Sequence, residues 1–561
     1  MPLTFFALLF CASWLIPHHF PPWISWHNEI CAFAAVLWLY GWILIHQKFD
    51  IRRPVKAPLA LWPPVLLTIV GVIQLVTGHI AFAGDAWVLG FYLMLCIFAI
   101  HIGYAIVGEH EPSSIISRLS VLLVVVGAVS VTISLIQTLE ISSNPNWIWR
   151  MPTLRRPGAN LGQPNQLATL ILFALVSLYF LFEARRVRTL ITLPLAAILI
   201  LGLAITESRS GALGLLVMVG WWILKRRSIT FSISLSVVGS GVLFFALCFW
   251  FWPACFSLIQ EGGWSSHAVT AKVNTSAGTR LVIWPQLWEA AMQRPWFGWG
   301  LREVSTAQNA VLHGYSESEP FTYAHNIVLD LAIGVGIPVT LLLLGVTCVW
   351  LWRRARAAND LVTWYCIAIA LPFGVHSMLE FPFAYAYLLA PVMFLLGVLE
   401  ARLAPRRMVA IPWWTAAAAW ALVSAAMAWS VVEYIVIEED FRMARFEAFN
   451  VGKTPSSYER PHIVLLTQLG DLLEGARLIP APGMAPQRIE LARKVAMHFP
   501  ATATQNRYAQ SLALNGNPQE AIRQLRVMRA MHGEANYAQI KAGWITLASE
   551  KYPQLRAVEL P

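Results

Sequence analysis

The chain has 561 residues, of which 57% are hydrophobic and only 12% charged, with a mean hydropathy of +0.59. A soluble domain carries roughly 25% charged residues, so there is too little polar surface here to cover a soluble globule. Disorder, collagen, coiled coil and a disulfide-stapled secreted fold are excluded on the same numbers. The net charge of +10 would point a soluble protein toward nucleic acid. In a membrane protein it is the expected excess of basic cytoplasmic loops, so no nucleic-acid partner is expected.

A bilayer-spanning helix needs roughly 17–25 mostly apolar residues. Thirteen candidate spans follow along the chain, at about 2–16, 29–46, 59–77, 86–107, 119–139, 166–183, 189–206, 210–224, 229–252, 326–351, 361–379, 383–400 and 412–434. The first lacks a basic n-region and a small-residue cleavage site, so it is read as a helix rather than a signal peptide. The seven cysteines form no CxxC pair and suggest neither a disulfide framework nor a zinc site. The 26 tryptophans suit interfacial belts.

The loops test this count. With the N-terminus in the cytoplasm, the inside loops hold 17 basic residues: Lys48, Arg52, Arg53, Lys56, Arg118, Arg185, Arg186, Arg188, Lys225, Arg226, Arg227, Arg353, Arg354, Arg356, Arg402, Arg406 and Arg407. The outside loops hold eight: Arg150, Arg155, Arg156, Arg209, Lys272, Arg280, Arg294 and Arg302. Cytoplasmic loops are the ones enriched in Lys and Arg. Thirteen spans then leave the C-terminal region outside.

Two outside connections, about 140–165 and 253–325, are too long to be simple connectors, and long loops are often functional. From 438 to 561 charges become frequent and apolar residues recur at helical spacing. Tyr508 to Leu525 reads helix, Asn-Gly turn, helix, which resembles half of a tetratricopeptide unit. The expected fold class is all-α: a polytopic membrane protein of about 13 transmembrane helices, long outer loops and a C-terminal helical soluble domain.

Outside basic residues near membrane ends are candidates for holding an anion, because the planar fork of Arg donates in pairs. Arg156, Arg209 and Arg280 are in such positions. The bland alternative for each is snorkelling to lipid phosphate. His325 stands at the start of a span, where an imidazole of unperturbed pKa near 6.5 can serve as a general base. Its alternative is an interfacial His bonded to lipid or backbone. His376 and Glu380 are four apart, a spacing that shares a helix face, so Glu380 could orient His376 or the pair could be structural. The amides Asn160, Gln163 and Asn165 offer neutral hydrogen bonds to sugar or pyrophosphate, or simply shape the loop. No HExxH, GxSxG or P-loop is present.

Four stretches carry a family resemblance: Arg156-Pro-Gly-Ala-Asn-Leu-Gly-Gln-Pro-Asn-Gln; Ser208-Arg-Ser-Gly-Ala; Arg280-Leu-Val-Ile-Trp-Pro-Gln-Leu-Trp-Glu-Ala with Arg294-Pro-Trp-Phe-Gly-Trp-Gly; and Ala324-His-Asn-Ile-Val-Leu-Asp with Gly334-Val-Gly-Ile-Pro and His376 to Pro382. They resemble bacterial PglL-type O-oligosaccharyltransferases, within the O-antigen ligase and polymerase superfamily. The resemblance implies that residues 1–437 form a transmembrane glycosyltransferase domain and 438–561 a periplasmic helical domain, in the bacterial inner membrane. It implies transfer of a glycan en bloc from an undecaprenyl pyrophosphate carrier to Ser or Thr hydroxyls of a periplasmic acceptor protein such as a pilin.

On that resemblance His325 is the general base and Arg209, Arg280 and Arg156 bind the donor pyrophosphate. Asn160, Gln163, Asn165, His376 and Glu380 support the glycan or the loop. No cofactor and no metal is implied, since Arg would neutralise the charge that Mg²⁺ neutralises in many phosphate enzymes. With no glycosidase-like carboxylate pair in view, direct displacement with inversion is expected. The alternatives are an O-antigen ligase or polymerase acting on lipid-linked glycans, a transporter, and a scaffold. A transporter would carry ionisable groups deep in its spans and repeat symmetry, whereas mid-span charges are few and no repeat is obvious.

Overall fold

The computed structural model describes residues 2–46, 55–107, 111–140, 146–150, 155–261, 276–406, 408–455 and 457–561. Lys48, Arg52, Arg53, Lys272 and Arg407 of the loop count lie outside these residues. So do 141–145 and 151–154 of the first long connection and 262–275 of the second.

Among the described residues, nine helices are long and apolar enough to cross a membrane. They are Trp26–His46, Leu59–Val76, Ala83–Ile106, Pro112–Thr138, Pro164–Glu183, Leu235–Ile259, Ile337–Ala357, Ala386–Leu403 and Trp413–Ala448. Thr4–Leu15, Thr189–Ile205 and Leu361–Ser377 are shorter apolar helices, and the expected eighth span is the 17-residue helix Arg209–Lys225. Among the described residues the sheet content is a pair of short antiparallel strands, Val55–Pro58 and Met408–Ile411. The protein is therefore an all-α polytopic membrane protein.

Two expected boundaries differ. The apolar run 326–351 is two helices, Ile327–Val335 and Ile337–Ala357. Gly336 between them has φ 82° and ψ 164°, outside helical space, and Pro338 has no amide hydrogen to carry the first helix onward. The last run extends well past 434, as the 36-residue helix Trp413–Ala448. At 1.5 Å per residue that helix is about 54 Å long, longer than the roughly 30 Å hydrocarbon core.

The chain folds into two compact units. The first comprises Met1–Val65, Tyr92–Lys272 and Val346–Ser424. Its centre is Pro164–Glu183, apolar and buried around most of its circumference, as a helix enclosed by others must be. A charge inside this unit is paired: Glu400 takes a two-pronged contact from Arg354 (2.7 and 2.8 Å) and a bond from the Trp350 indole.

The second unit comprises Leu66–Phe91, Val273–Gly345 and Ala425–Pro561. One of its cores joins the helices Ser276–Gln293, Val304–Val311 and Ile327–Val335 through Ile283, Leu287, Ala307, Val311, Ala324 and Ile333. Another joins the C-terminal helices Pro486–His498, Thr502–Leu514 and Pro518–Glu550 around Tyr508, Leu525, Tyr537 and Trp544. The Asn515-Gly516 turn separates the last two helices, with Gly516 at φ 84°. Leu312 packs with Val527 and Met531, and Ser318 N–H donates to the Ala530 carbonyl. The C-terminal helices thus pack on the segment that follows Val304–Val311.

Candidate functional site

The candidate residues divide between the units. In the first unit, three separate segments converge on one polar cluster. Arg155 makes a two-pronged pair with Glu207, at 2.7 and 3.0 Å. The neighbouring Arg156 donates its Nε to the Thr206 carbonyl at 3.2 Å. Burial pushes the Arg156 guanidinium pKa down, with Arg155 and Arg209 acting in the same direction and Glu207 and Glu380 against it. Arg156 is half-buried where three guanidinium groups, its own and those of Arg155 and Arg209, outnumber the carboxylates of Glu207 and Glu380, a setting in which an anion is favourable.

Arg209 is the first residue of the helix Arg209–Lys225 and is exposed. A cation at a helix N-terminus opposes the helix dipole, so a bound anion would relieve both. Ser208 caps this helix through its hydroxyl, which accepts from Gly211 N–H at 3.0 Å and donates to Asn165 Oδ1 at 2.8 Å. Asn165 in turn donates to Glu380 Oε1 at 3.3 Å. The buried His376 ring contacts Thr169 through Nδ1 at 2.8 Å. The structure thus joins Ser208, Asn165 and Glu380 by hydrogen bonds, with His376 reached through Thr169 on the helix that carries Asn165, and sets Arg156 near enough to Arg209 and Glu380 to feel their charges.

Asn160 and Gln163 have local jobs. The buried Asn160 amide donates to the carbonyls of Leu15 and Trp147 and accepts from Trp149 N–H. Its own carbonyl contacts His19 Nε2 at 2.6 Å. Gln163 caps Pro164–Glu183 by accepting from Gln166 N–H at 2.7 Å. Both side chains fix the loop that presents Arg156.

In the second unit, Arg280 lies in the first turns of Ser276–Gln293, and His325 lies just before Ile327–Val335. His325 adopts φ 54°, a left-handed conformation that costs a non-glycine residue about 1–2 kcal/mol and must be held by its surroundings. Its neighbours supply the hold. Ala324 N–H donates to Asp330 Oδ2 at 3.1 Å, and the Ala324 carbonyl accepts from the Trp284 indole at 2.9 Å. Asn326 caps the following helix by accepting from Val328 and Leu329 N–H. The His325 ring lies against Phe321, with centroids 4.6 Å apart.

The approach to this turn is stitched by buried glutamines. Gln308 accepts from Phe321 N–H and donates to the Glu319 carbonyl, and Gln286 donates to the Glu317 carbonyl. The Pro-Trp-Phe-Gly-Trp-Gly stretch is a backbone splice. Trp299 N–H meets the Ile333 carbonyl at 2.7 Å, Gly300 N–H meets Gly334, and Ile337 N–H meets Pro295. A Cβ on Gly298, at φ 71°, would lie 2.5 Å from the Ile333 carbonyl. Gln74 completes the splice, donating to the Gly334 and Phe297 carbonyls and accepting from Leu301 N–H.

Three of the other cations expected on outer loops have protein partners. Arg155 has Glu207, Arg302 donates to Asp85 at 2.9 Å, and Arg294 stacks on Trp299 at 4.0 Å. Trp284, Gln286 and Asp330 lie in the stretches that carry the family resemblance but were given no individual role, and Gln74, Gln308, Asp85 and His498 were missed. For Gln74 the available signal was a polar residue inside an otherwise apolar helix.

The sequence matches three families. Residues 157–182 match a protein glycosylation ligase, 194–344 an O-antigen ligase, and 364–545 the C-terminal part of a virulence factor membrane-bound polymerase. The chain is also similar to two curated proteins of Acinetobacter baylyi. With a general O-oligosaccharyltransferase it shares 26% identity over 544 residues, 94% of this chain and 91% of the relative. With a ComP-specific O-oligosaccharyltransferase it shares 29% over 387 residues, 67% of this chain and 66% of the relative.

Proposed function

From its membership of the PglL-type O-oligosaccharyltransferases, within the O-antigen ligase superfamily, we infer that this chain is a glycosyltransferase that O-glycosylates protein. The donor is an oligosaccharide on undecaprenyl pyrophosphate. The acceptor is a Ser or Thr hydroxyl of a periplasmic protein such as a pilin. The enzyme lies in the inner membrane with its N-terminus in the cytoplasm and its C-terminal helices in the periplasm, a sidedness supported by the basic inner loops.

The observation that carries the reading is the pinned, left-handed His325. A Ser or Thr hydroxyl is a poor nucleophile at neutral pH and needs a positioned base. His325 takes the hydroxyl proton as the oxygen attacks the anomeric carbon. The bond from that carbon to the pyrophosphate breaks, with inversion. Negative charge grows on the leaving pyrophosphate, and Arg156, Arg209 and Arg280 stabilise it. Glu207 and Glu380 keep the Arg156 cluster from accumulating unopposed positive charge. Ser208 caps the helix that carries Arg209 and Asn165 holds Ser208 in place, with no metal required.

The test is transfer in vitro with purified protein, undecaprenyl-pyrophosphate-linked oligosaccharide and a pilin. Arg156→Ala and Arg209→Ala should raise donor KM, and His325→Ala should lower kcat by about 10²- to 10⁴-fold, the range for a lost general base. Wild-type kcat in His325→Ala would overturn the assignment. The polymerase match at 364–545 favours a second reading, in which the acceptor is another lipid-linked glycan. That reading expects longer lipid-linked glycans and an unmodified pilin in the same reaction.

A further inference from the structure

We propose that His498, at the end of the C-terminal helix Pro486–His498, is a positioning residue for the His325 turn, acting through Asp85 and Arg302; this rests on the reading of His325 as the base. The route is one ion-pair contact followed by two hydrogen bonds. His498 Nε2 lies 3.2 Å from Asp85 Oδ2. Asp85 Oδ1 accepts from Arg302 Nε at 2.9 Å, and Arg302 Nη1 donates to the Tyr323 hydroxyl at 3.1 Å. Tyr323 is two residues before His325 and adjoins Ala324, whose N–H is held by Asp330.

The charge balance of this cluster explains why a histidine is needed. Asp85, Glu303 and His498 are all buried. Glu303 accepts from Ala81 N–H at 2.9 Å and from Thr306 at 2.6 Å, and its Oε2 lies 4.0 Å from His498 Nδ1. Two buried carboxylates face one guanidinium, leaving one negative charge uncompensated when His498 is neutral. Protonated His498, with a ring nitrogen 3.2 Å from one carboxylate and the other 4.0 Å from the second, supplies the positive charge that brings the cluster to neutrality, the condition under which buried charge is tolerated.

The groups that face the ring are Asp85 from the helix Ala83–Ile106, Glu303 and Arg302 from the segment before Val304–Val311, and the rings of Phe82 and Phe499. Burial works against the imidazolium, but Asp85 and Glu303 outweigh it and raise the His498 pKa, with Arg302 opposing. The neutral cluster therefore exists below that raised pKa and is lost as pH rises through it. A free carboxylate charge then competes for Arg302, and the hold on Tyr323 weakens.

The experiment compares His498→Gln and Tyr323→Phe with wild type, as full-length protein in detergent. Undecaprenyl-pyrophosphate-linked oligosaccharide and a pilin serve as probes, and amide hydrogen exchange over 321–326 is followed in parallel. His498→Gln should lower kcat about tenfold with donor KM within twofold. It should also remove an alkaline fall in kcat that wild type has, and speed exchange at 324–326. Asp85→Asn added to His498→Gln should cost less than the two losses combined, since the double variant no longer buries a lone carboxylate.

A His498→Gln protein with wild-type kcat, pH profile and exchange overturns the proposal. If His498→Gln fails to fold, Tyr323→Phe, which removes only the hydroxyl that Arg302 holds, decides: unchanged kcat and exchange overturn it. Failure of the base assignment is separate, because it appears as wild-type kcat in His325→Ala, whereas exchange at 324–326 reads positioning without reference to turnover.

Discussion

Trp284→Phe isolates the hold on His325 by one bond. Phenylalanine keeps an aromatic ring in place but lacks the indole N–H that donates to the Ala324 carbonyl at 2.9 Å. Ala324 is fully buried, and losing the donor to a buried carbonyl costs about 1–3 kcal/mol. His325 sits at φ 54°, so the turn has strain that this bond helps to oppose. If the whole cost falls on the geometry needed in the transition state, one factor of ten for each 1.36 kcal/mol gives about a 5- to 150-fold loss of kcat. The assay is the initial rate of glycan transfer to acceptor at saturating donor, with donor KM measured alongside. The expected result is a fall in kcat within that range and an unchanged donor KM. A folded Trp284→Phe protein with kcat within twofold of wild type refutes the argument that the turn is held from Ser276–Gln293.

Gly298→Ala should destabilise the protein by about 1–3 kcal/mol, because its Cβ would be 2.5 Å from the Ile333 carbonyl at φ 71°; an unchanged melting midpoint in detergent would contradict this. Ser208→Ala removes the cap on Gly211 N–H and the bond to Asn165. It should cost about 0.5–2 kcal/mol and raise donor KM, and wild-type KM would detach this cap from donor binding. Stability should also depend on pH at both ends. Burial pushes the Glu303 carboxyl pKa up, but His498, Thr306 and the Ala81 amide outweigh it and hold the value low. Its contribution is present above the ordinary Glu value and lost as pH falls through the depressed one. His498, raised in the fold, contributes below its ordinary value and ceases to as pH rises through the raised one. Thermal melts across pH should show both losses, and His498→Gln should remove the alkaline one.

The apolar helices were legible because their signal is simply the length of an apolar run: each of the thirteen expected runs holds a helix, and nine of these are long and apolar enough to cross a membrane. That same averaging hid the break at Gly336, where one glycine and the proline two residues on interrupt a run that stays apolar throughout. Arg156 and Arg209 could be singled out because a cation is unusual on a sparsely charged outer loop. The sequence could not say that Arg155 is neutralised by Glu207 or Arg302 by Asp85, since pairing depends on which segments meet. Asn160 looked like a ligand amide, yet its hydrogen bonds go to the Leu15 and Trp147 carbonyls and Trp149 N–H. His498 lies far along the chain from Asp85 and Glu303 and has no local pattern to mark it. The glycines of Pro295 to Gly300 were visible as a motif, but their backbone splice to 333–337 emerges only when the two segments touch.

The most direct measurement is the intact mass of a candidate pilin, co-expressed with the lipid-linked oligosaccharide pathway and with either the wild-type chain or His325→Ala. The account expects a glycan-sized mass gain with wild type and none with His325→Ala at equal protein levels. An unmodified pilin with wild type, alongside lengthened lipid-linked glycans, would contradict protein glycosylation; an equal gain with both would contradict His325 as the base.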